Sequence, residues 1–318
     1  MVSNSKSKDR PTPFPSLIAV MVAATMSVAL VQVSAAATKQ KTFTSAEGAV
    51  KAAVTATRSN NQRELVAIFG EAGKGLLFSG DAVADKQGRE RFLEAYDQKH
   101  SLVPGAGGTV LVVGTEDWPF PIPVVKKGKV WFFDTNKGKQ EILNRRIGQN
   151  ELSAIQVCLA IVDAERAYAT SDRSGEGFRE YAQKFRSDPG KRNGLYWKTS
   201  EGEEPSPLGP FAAQATREGY GFKQSGGKPS PYHGYYYRIL KAQGAHAPGG
   251  AQNYVVNGHM IAGFAVVAYP AEYGNSGVMT FIVNRDGVVY QKNLGQSTSK
   301  VAEAMRVFDP DPSWSKVK

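Results

Sequence analysis

Pro104-Gly105-Ala106-Gly107-Gly108-Thr109-Val110-Leu111-Val112-Val113 is the stretch on which the fold turns. Its first five residues break any regular element, and the hydrophobic period differs on the two sides of the break. Upstream the period is helical. Phe43-Thr44-Ser45-Ala46-Glu47 reads as a capping box with Thr44 at the N-cap and Glu47 reaching back. Ala49, Val50, Ala53 and Val54 follow at helical spacing. Asn61 and Glu64 repeat the cap before Leu65, Val66, Ile68 and Phe69, and Asp85 precedes a third helix with Phe92, Leu93 and Tyr96 on one side. Downstream, Val110 to Val113 is a short apolar run of the buried-strand type. Ile122 to Val125 and Val130 to Phe133 flank Lys126-Lys127-Gly128-Lys129 as a hairpin. Helices first and a sheet after predict an α+β fold.

The same alternation of classes recurs further on. A long helix is expected from Asn150 to Ala169, with Ala154, Ile155, Cys158, Ile161, Val162 and Tyr168 on its apolar face. An irregular stretch follows, then a short helix over Phe211 to Glu218 and a Gly/Ser/Pro linker at Ser225 to Pro231. From Tyr232 the pattern is β. Strands are expected at Gly234 to Leu240, Gly263 to Tyr269, Val278 to Val283 and Val288 to Lys292, with Asp286-Gly287 as the tight turn between the last two. A helix over Ala302 to Phe308 closes the chain. The boundaries implied are 1–35, 36–146 and 147–318.

The first 35 residues carry Lys6, Lys8 and Arg10, an apolar run from Leu17 to Val33, and small residues Ser34-Ala35-Ala36-Ala37. These are the three parts of a secretory signal peptide, and the expectation is an exported, periplasmic protein. The alternative is an uncleaved anchor, since the run is near the lower edge of the ~17–25 residues a spanning helix needs. No later segment is long and apolar enough to span, so no stable membrane span is expected after cleavage. Hydrophobic residues make up 41% of the 318, which excludes a disordered chain. Removing residues 1–35 takes away three basic groups and one acid, reducing the net charge from +10 to +8. With no run of like charges interleaved with aromatics, nucleic acid is not expected as a partner. A basic surface of this kind suits anionic envelope polymers or phospholipid. The single cysteine, Cys158, excludes an intramolecular disulfide.

Several segments carry family resemblances. Trp118-Pro119-Phe120-Pro121-Ile122-Pro123, Lys139 to Glu151, Pro231-Tyr232-His233-Gly234-Tyr235-Tyr236, Tyr254 to Gly258 and Gly277 to Asn284 with Asp286 to Tyr290 resemble a bacterial exported family known as domain of unknown function 2950. That resemblance implies export and a shared fold and supplies no activity. The helix order and the Pro123–Phe133 hairpin make the first half similar to NTF2-like cones, which hold a pocket between helices and sheet. Gly234-Tyr235-x-x-Arg238, the strand ending Ala268-Tyr269-Pro270 and the Phe281-to-Val288 hairpin make the second half similar to the antiparallel sheet of pilin-like globular heads. The pilin methylation signature is missing, so pilus assembly is not implied.

No motif commits the chain to a reaction. His100, His233, His246 and His259 lack metal-ligand spacing. Asp172, Ser174, Glu176, Phe178 and Glu180 alternate as in a calcium loop, but Gln183 stands where a bidentate Glu is needed. Neither a metal nor a cofactor is expected. Ser225/Lys228, Ser297/Lys300 and Ser313/Lys316 match Ser-x-x-Lys in polar segments without a companion motif. Cys158 sits among apolar helix positions and reads as core. Glu116-Asp117 could supply an acid or base at a cone rim or be a solvated strand end, and Glu141/Arg145 suits a helical ion pair. The densest candidate is Tyr232, His233, Tyr235, Tyr237 and Arg238, with Trp118 as a further aromatic. Alternation puts Tyr235 and Tyr237 on one face and Tyr236 and Arg238 on the other, with Tyr196-Trp197 able to fold against them. Two readings follow: a non-enzymatic binding or assembly module for an envelope protein or glycan, and a periplasmic hydrolase or isomerase using Glu116 or Asp117.

Overall fold

A computed structural model describes residues 39–105, 107–173, 175–221 and 230–318. The signal-peptide reading, Ser174 of the calcium-like loop and the Ser225/Lys228 pair lie outside them. Residues 39–318 belong to one compact unit with two hydrophobic cores. Among the described residues no helix is long and apolar enough to cross a membrane.

The first core is built by helices laid on a sheet. Helices α1 (Ala46–Arg58), α2 (Gln62–Phe69), α3 (Lys74–Leu77) and α4 (Ala82–Gln98) come first. The cap of α1 is Ser45 rather than Thr44. Its extended backbone brings the hydroxyl to the Gly48 N–H at 3.0 Å. Asn61 caps α2 as expected, accepting from Glu64 N at 3.0 Å. Helix α4 starts earlier than Asp85 suggests. Asp81 is extended, and its Oδ1 accepts from Val83 N and Ala84 N at 3.1 and 3.0 Å. Asp85 lies within the first turn and receives the Ser79 N–H instead.

Five antiparallel strands follow: β1 (His100–Gly105), β2 (Gly108–Val113), β3 (Trp118–Pro119), β4 (Val124–Lys127) and β5 (Val130–Phe133), in the order β1-β2-β4-β5 with β3 also on β2. The Pro/Gly break is therefore the end of a strand. Pro104 is tolerated because β1 is an edge, where a missing N–H costs no ladder bond. Gly108, at φ +141°, passes so close to β4 that a Cβ would meet the Val124 carbonyl oxygen at 2.7 Å. Val50, Leu65, Ile68, Leu111, Val124 and Phe133 are buried between the layers. The interior is filled by rings: Phe69 lies 4.8 Å from Phe133 and 6.3 Å from Phe120.

Helix α5 (Thr135–Tyr168) has 34 residues and begins well before the expected Asn150, so the 146/147 boundary falls inside it. Thr135 donates to the Phe69 carbonyl at 2.7 Å. Gly138 lets the helix run against the chain at Pro121, where a Cβ would lie 2.4 Å from a carbonyl oxygen. The Glu141–Arg145 pair forms at 2.6 Å. Leu143 is buried in the first half of α5, while Ala154, Val157, Cys158, Ile161, Val162 and Tyr168 enter the second core.

After an irregular stretch, α6 (Gly209–Arg217) leads to the second sheet. It opens with β6 (Tyr235–Leu240), and two separate two-stranded pairs follow, β7 (Ala242–Gln243) with β8 (Gln252–Asn253) and β9 (Val255–Val256) with β10 (His259–Met260). Next come β11 (Ala265–Pro270), β12 (Met279–Asn284), β13 (Val289–Asn293) and, after helix α7 (Thr298–Ala304), β14 (Ser315–Lys316). The five-stranded order is β14-β13-β12-β11-β6, antiparallel throughout. Every residue of β11 is buried, as a central strand covered on both faces requires. The closing helix lies a turn earlier than expected because Phe308 is drawn out of it into the core.

Candidate functional site

The sequence Tyr232-His233-Gly234-Tyr235 folds as a tight turn into β6, with Tyr232 and Tyr235 exchanging both backbone hydrogen bonds at 2.9 and 3.2 Å. His233 and Gly234 occupy its centre at φ +49° and +74°. Left-handed backbone at a non-glycine residue costs of order 1 kcal/mol and persists only where the surroundings hold it. Here the holder is Asp81, 1% exposed at the head of α4. Its Oδ2 accepts from the Gly234 N–H and from the Tyr220 hydroxyl, both at 2.9 Å.

A second carboxylate completes the cluster. Glu218, just beyond α6, receives the Tyr232 hydroxyl on Oε2 at 3.0 Å, and His233 Nε2 lies 3.3 Å from the same oxygen. Its Oε1 accepts from Gln214 at 2.9 Å, and its backbone carbonyl accepts from Gln87 of α4 at 2.5 Å. Tyr232 is ringed edge-on by Tyr220 at 4.7 Å, Phe211 at 5.2 Å and His233 at 4.2 Å, the arrangement that aromatic quadrupoles favour. Burial pushes the Tyr220 and Tyr232 phenols above their ordinary range. Asp81 adds to this for Tyr220 and the Glu218 hydrogen bond for Tyr232, so both act as neutral donors. The His233 side chain, 29% exposed, and the edge of Tyr232 are what this cluster presents outward.

The family model described as Protein of unknown function (DUF2950) matches residues 40–317. The chain belongs to the DUF2950 family. The match spans both cores, α5 and the Asp81–Tyr232 cluster. No curated protein and no solved structure matches the chain.

The remaining candidate residues of the DUF2950 protein separate from the cluster. Tyr235 and Tyr237 share a face as alternation predicts, but that face is turned toward α5. Tyr235 is 0% exposed and its hydroxyl donates to the Met279 carbonyl at 2.9 Å, so it belongs to the core and has no surface to offer. Tyr237 is half-buried, with its hydroxyl 3.3 Å from the Tyr232 carbonyl. Arg238, on the other face, donates to the Ala302 and Met305 carbonyls at 2.5 and 2.6 Å and closes the C-terminus of α7. Trp118 lies in the first sheet, 38% exposed, with the Arg145 guanidinium 5.6 Å above its ring. Trp197 is buried between Arg173 and Arg192, at 5.2 and 5.6 Å.

Asp117 sits in an exposed turn at φ +51° and pairs with Lys99 at 2.8 Å, and Glu116 beside it is exposed. Cys158 is fully buried and desolvation pushes its thiol up to about 12, the behaviour of a core residue. Asp172 folds back on its own loop, accepting from Gly175 N and Gly177 N at 2.8 Å. Glu176 and Glu180 flank His259 at 3.2 and 3.1 Å, and no group of three metal-binding side chains assembles among the described residues. Sequence reasoning missed Asp81, Glu218 and Tyr220. Ser79-Gly80-Asp81 carries a legible cap signal for the first, but no spacing rule links any of them to Tyr232.

Proposed function

We propose that this DUF2950 protein is exported to the periplasm of a bacterium and acts there as a non-enzymatic binding or assembly module, with an envelope protein or glycan as its partner. The observation that carries the reading is the state of the Tyr232 cluster. Its acids and hydroxyls are spent on one another, and ring edges and one imidazole remain to face outward. Aromatic side chains presented on a rigid turn are what recognition surfaces use. The N-terminal basic, apolar and small-residue regions support export. The enzymatic reading draws less support, because Asp117 is solvated and salt-bridged and the space between the helices and the first sheet is filled by phenylalanines. The NTF2-like and pilin-head-like resemblances belong to the same proposal. They are supported by helices laid on an antiparallel sheet in the first half and by a long helix on a β11-β12-β13 meander in the second.

The test is in-cell crosslinking of the tagged full chain carrying a photoreactive phenylalanine in place of His233 or Trp118, followed by mass spectrometry of the envelope fraction. A recurrent envelope partner and a mature N-terminus just after residue 35 or 37 are expected. A cytoplasmic, uncrosslinked monomer overturns the proposal.

A further inference from the structure

An open groove of about 670 Å³ runs along the C-terminal end of β6 and the β7–β8 pair, bounded on its far side by the residues after α7. Three cations line it: Arg238, Lys241 and Arg306. Each is held by neutral acceptors. Arg238 bonds the Ala302 and Met305 carbonyls, Arg306 the Glu303 and Met305 carbonyls at 2.7 and 3.1 Å, and Lys241 the Gln183 side-chain oxygen at 2.8 Å. The shared Met305 carbonyl brings two guanidinium groups side by side. Burial, and after it the Arg306 charge, lower the Arg238 pKa, opposed by Tyr269 and Glu303. The buried Nε of Arg238 has no acceptor. Two neighbouring like charges define a place where an oxyanion would relieve repulsion and gain charge-assisted hydrogen bonds.

The rest of the groove narrows the chemistry. Gln252 and Asn253 line it, and Asn253 uses only its Oδ1, on Val255 N at 3.1 Å. Side-chain amides both donate and accept, which suits hydroxyl groups. A groove open along its length suits a chain better than a small enclosed molecule.

We propose that this groove binds an acidic saccharide, with a carboxylate between Arg238 and Arg306, a second near Lys241 and hydroxyls on Gln252 and Asn253. The proposal narrows the glycan class of the function above and rests on that reading only for where the ligand is met. Its test is done in solution, so it fails independently of the crosslinking experiment.

The protein purified from expression of the full chain is titrated calorimetrically with a galacturonate hexamer, its fully methyl-esterified form and inorganic phosphate. The acidic hexamer is expected to bind in the micromolar to millimolar range and to weaken with added salt, because the cations are solvent-facing. R306Q and K241Q are each expected to weaken it about tenfold, the loss of one charge-assisted contact. Both side chains sit at exposed positions and bond only neutral acceptors, so the melting profile should be retained. Equal binding of the methyl ester, phosphate binding as tight as the hexamer, affinities unchanged in both variants, or no heat at millimolar hexamer would each overturn the assignment.

Discussion

Asp81→Ala is the substitution that most directly tests how the cluster is held. Asp81 serves four donors from three segments: Val83 N and Ala84 N at the start of α4, the Tyr220 hydroxyl, and the Gly234 N–H in the turn. Loss of the helix cap costs about 1 kcal/mol. The Gly234 N–H and Tyr220 hydroxyl would then be buried without an acceptor, at about 1–3 kcal/mol each. The expected cost is therefore about 3–7 kcal/mol, a large share of the ~5–15 kcal/mol that stabilises an ordinary domain. Asp81→Asn keeps Oδ1 for the cap but turns an NH₂ toward Gly234 N, and should cost about 2–4 kcal/mol. Urea unfolding followed by circular dichroism and tyrosine fluorescence measures both, and a double-mutant cycle with Tyr220→Phe should show coupling of about 1 kcal/mol. The Gly234 amide should lose hydrogen-exchange protection in both variants. If Asp81→Ala costs under about 1 kcal/mol, Asp81 does not hold the turn and the account of the cluster is wrong.

Two further predictions concern groups buried in α5. Glu165 is 0% exposed; its Oε2 accepts from Ala182 N at 2.8 Å and its Oε1 has no partner. Burial raises its pKa well above the ordinary 4.5, so the folded state holds the proton more tightly than the unfolded state. The stability this confers is fully present below pH 4.5 and is lost as pH rises through the folded value. Glu165→Gln should flatten that decline, and equal pH slopes in the urea midpoints of both proteins would refute it. For Cys158, raising the thiol from 9.0 to about 12 lowers the thiolate population about a thousandfold at pH 8. Iodoacetamide labelling should therefore track global unfolding in urea, and rapid labelling of the native protein would contradict its place in the core.

Local signals made much of the fold legible. Asn61 and the Val124–Phe133 hairpin are short-range features, in which a cap or a turn is written within four to ten residues. The strands of the second sheet were legible because alternation and Asp286-Gly287 punctuate them. The first half of α5 was not, because Lys137, Lys139, Gln140, Glu141 and Asn144 give it no apolar stripe; α3, whose Gly75 and Leu76 carbonyls accept from Arg146, and the close approach of Gly138 to Pro121 hold it instead. At the candidate site, aromatic density pointed to Tyr232 and His233. It could not show that Tyr235 faces α5, since alternation defines two faces without saying which one is covered. Asp81 lies 153 residues from Gly234, a distance over which no periodicity operates.

One consequence of α5 concerns how this chain can change over evolutionary time. Its 34 residues, about 51 Å at ~1.5 Å per residue, pack Ile142 against the first core and place Ala154 to Tyr168 in the second. A single residue inserted between Ile142 and Ala154 would rotate one end by about 100° and slide it ~1.5 Å relative to the other. Apolar side chains at one end would then face water while polar ones turned inward. The irregular segments after Tyr168 can gain or lose residues without that penalty. Helix α5 acts as a ruler whose length both cores read, and drift in length should be confined to the loops around it.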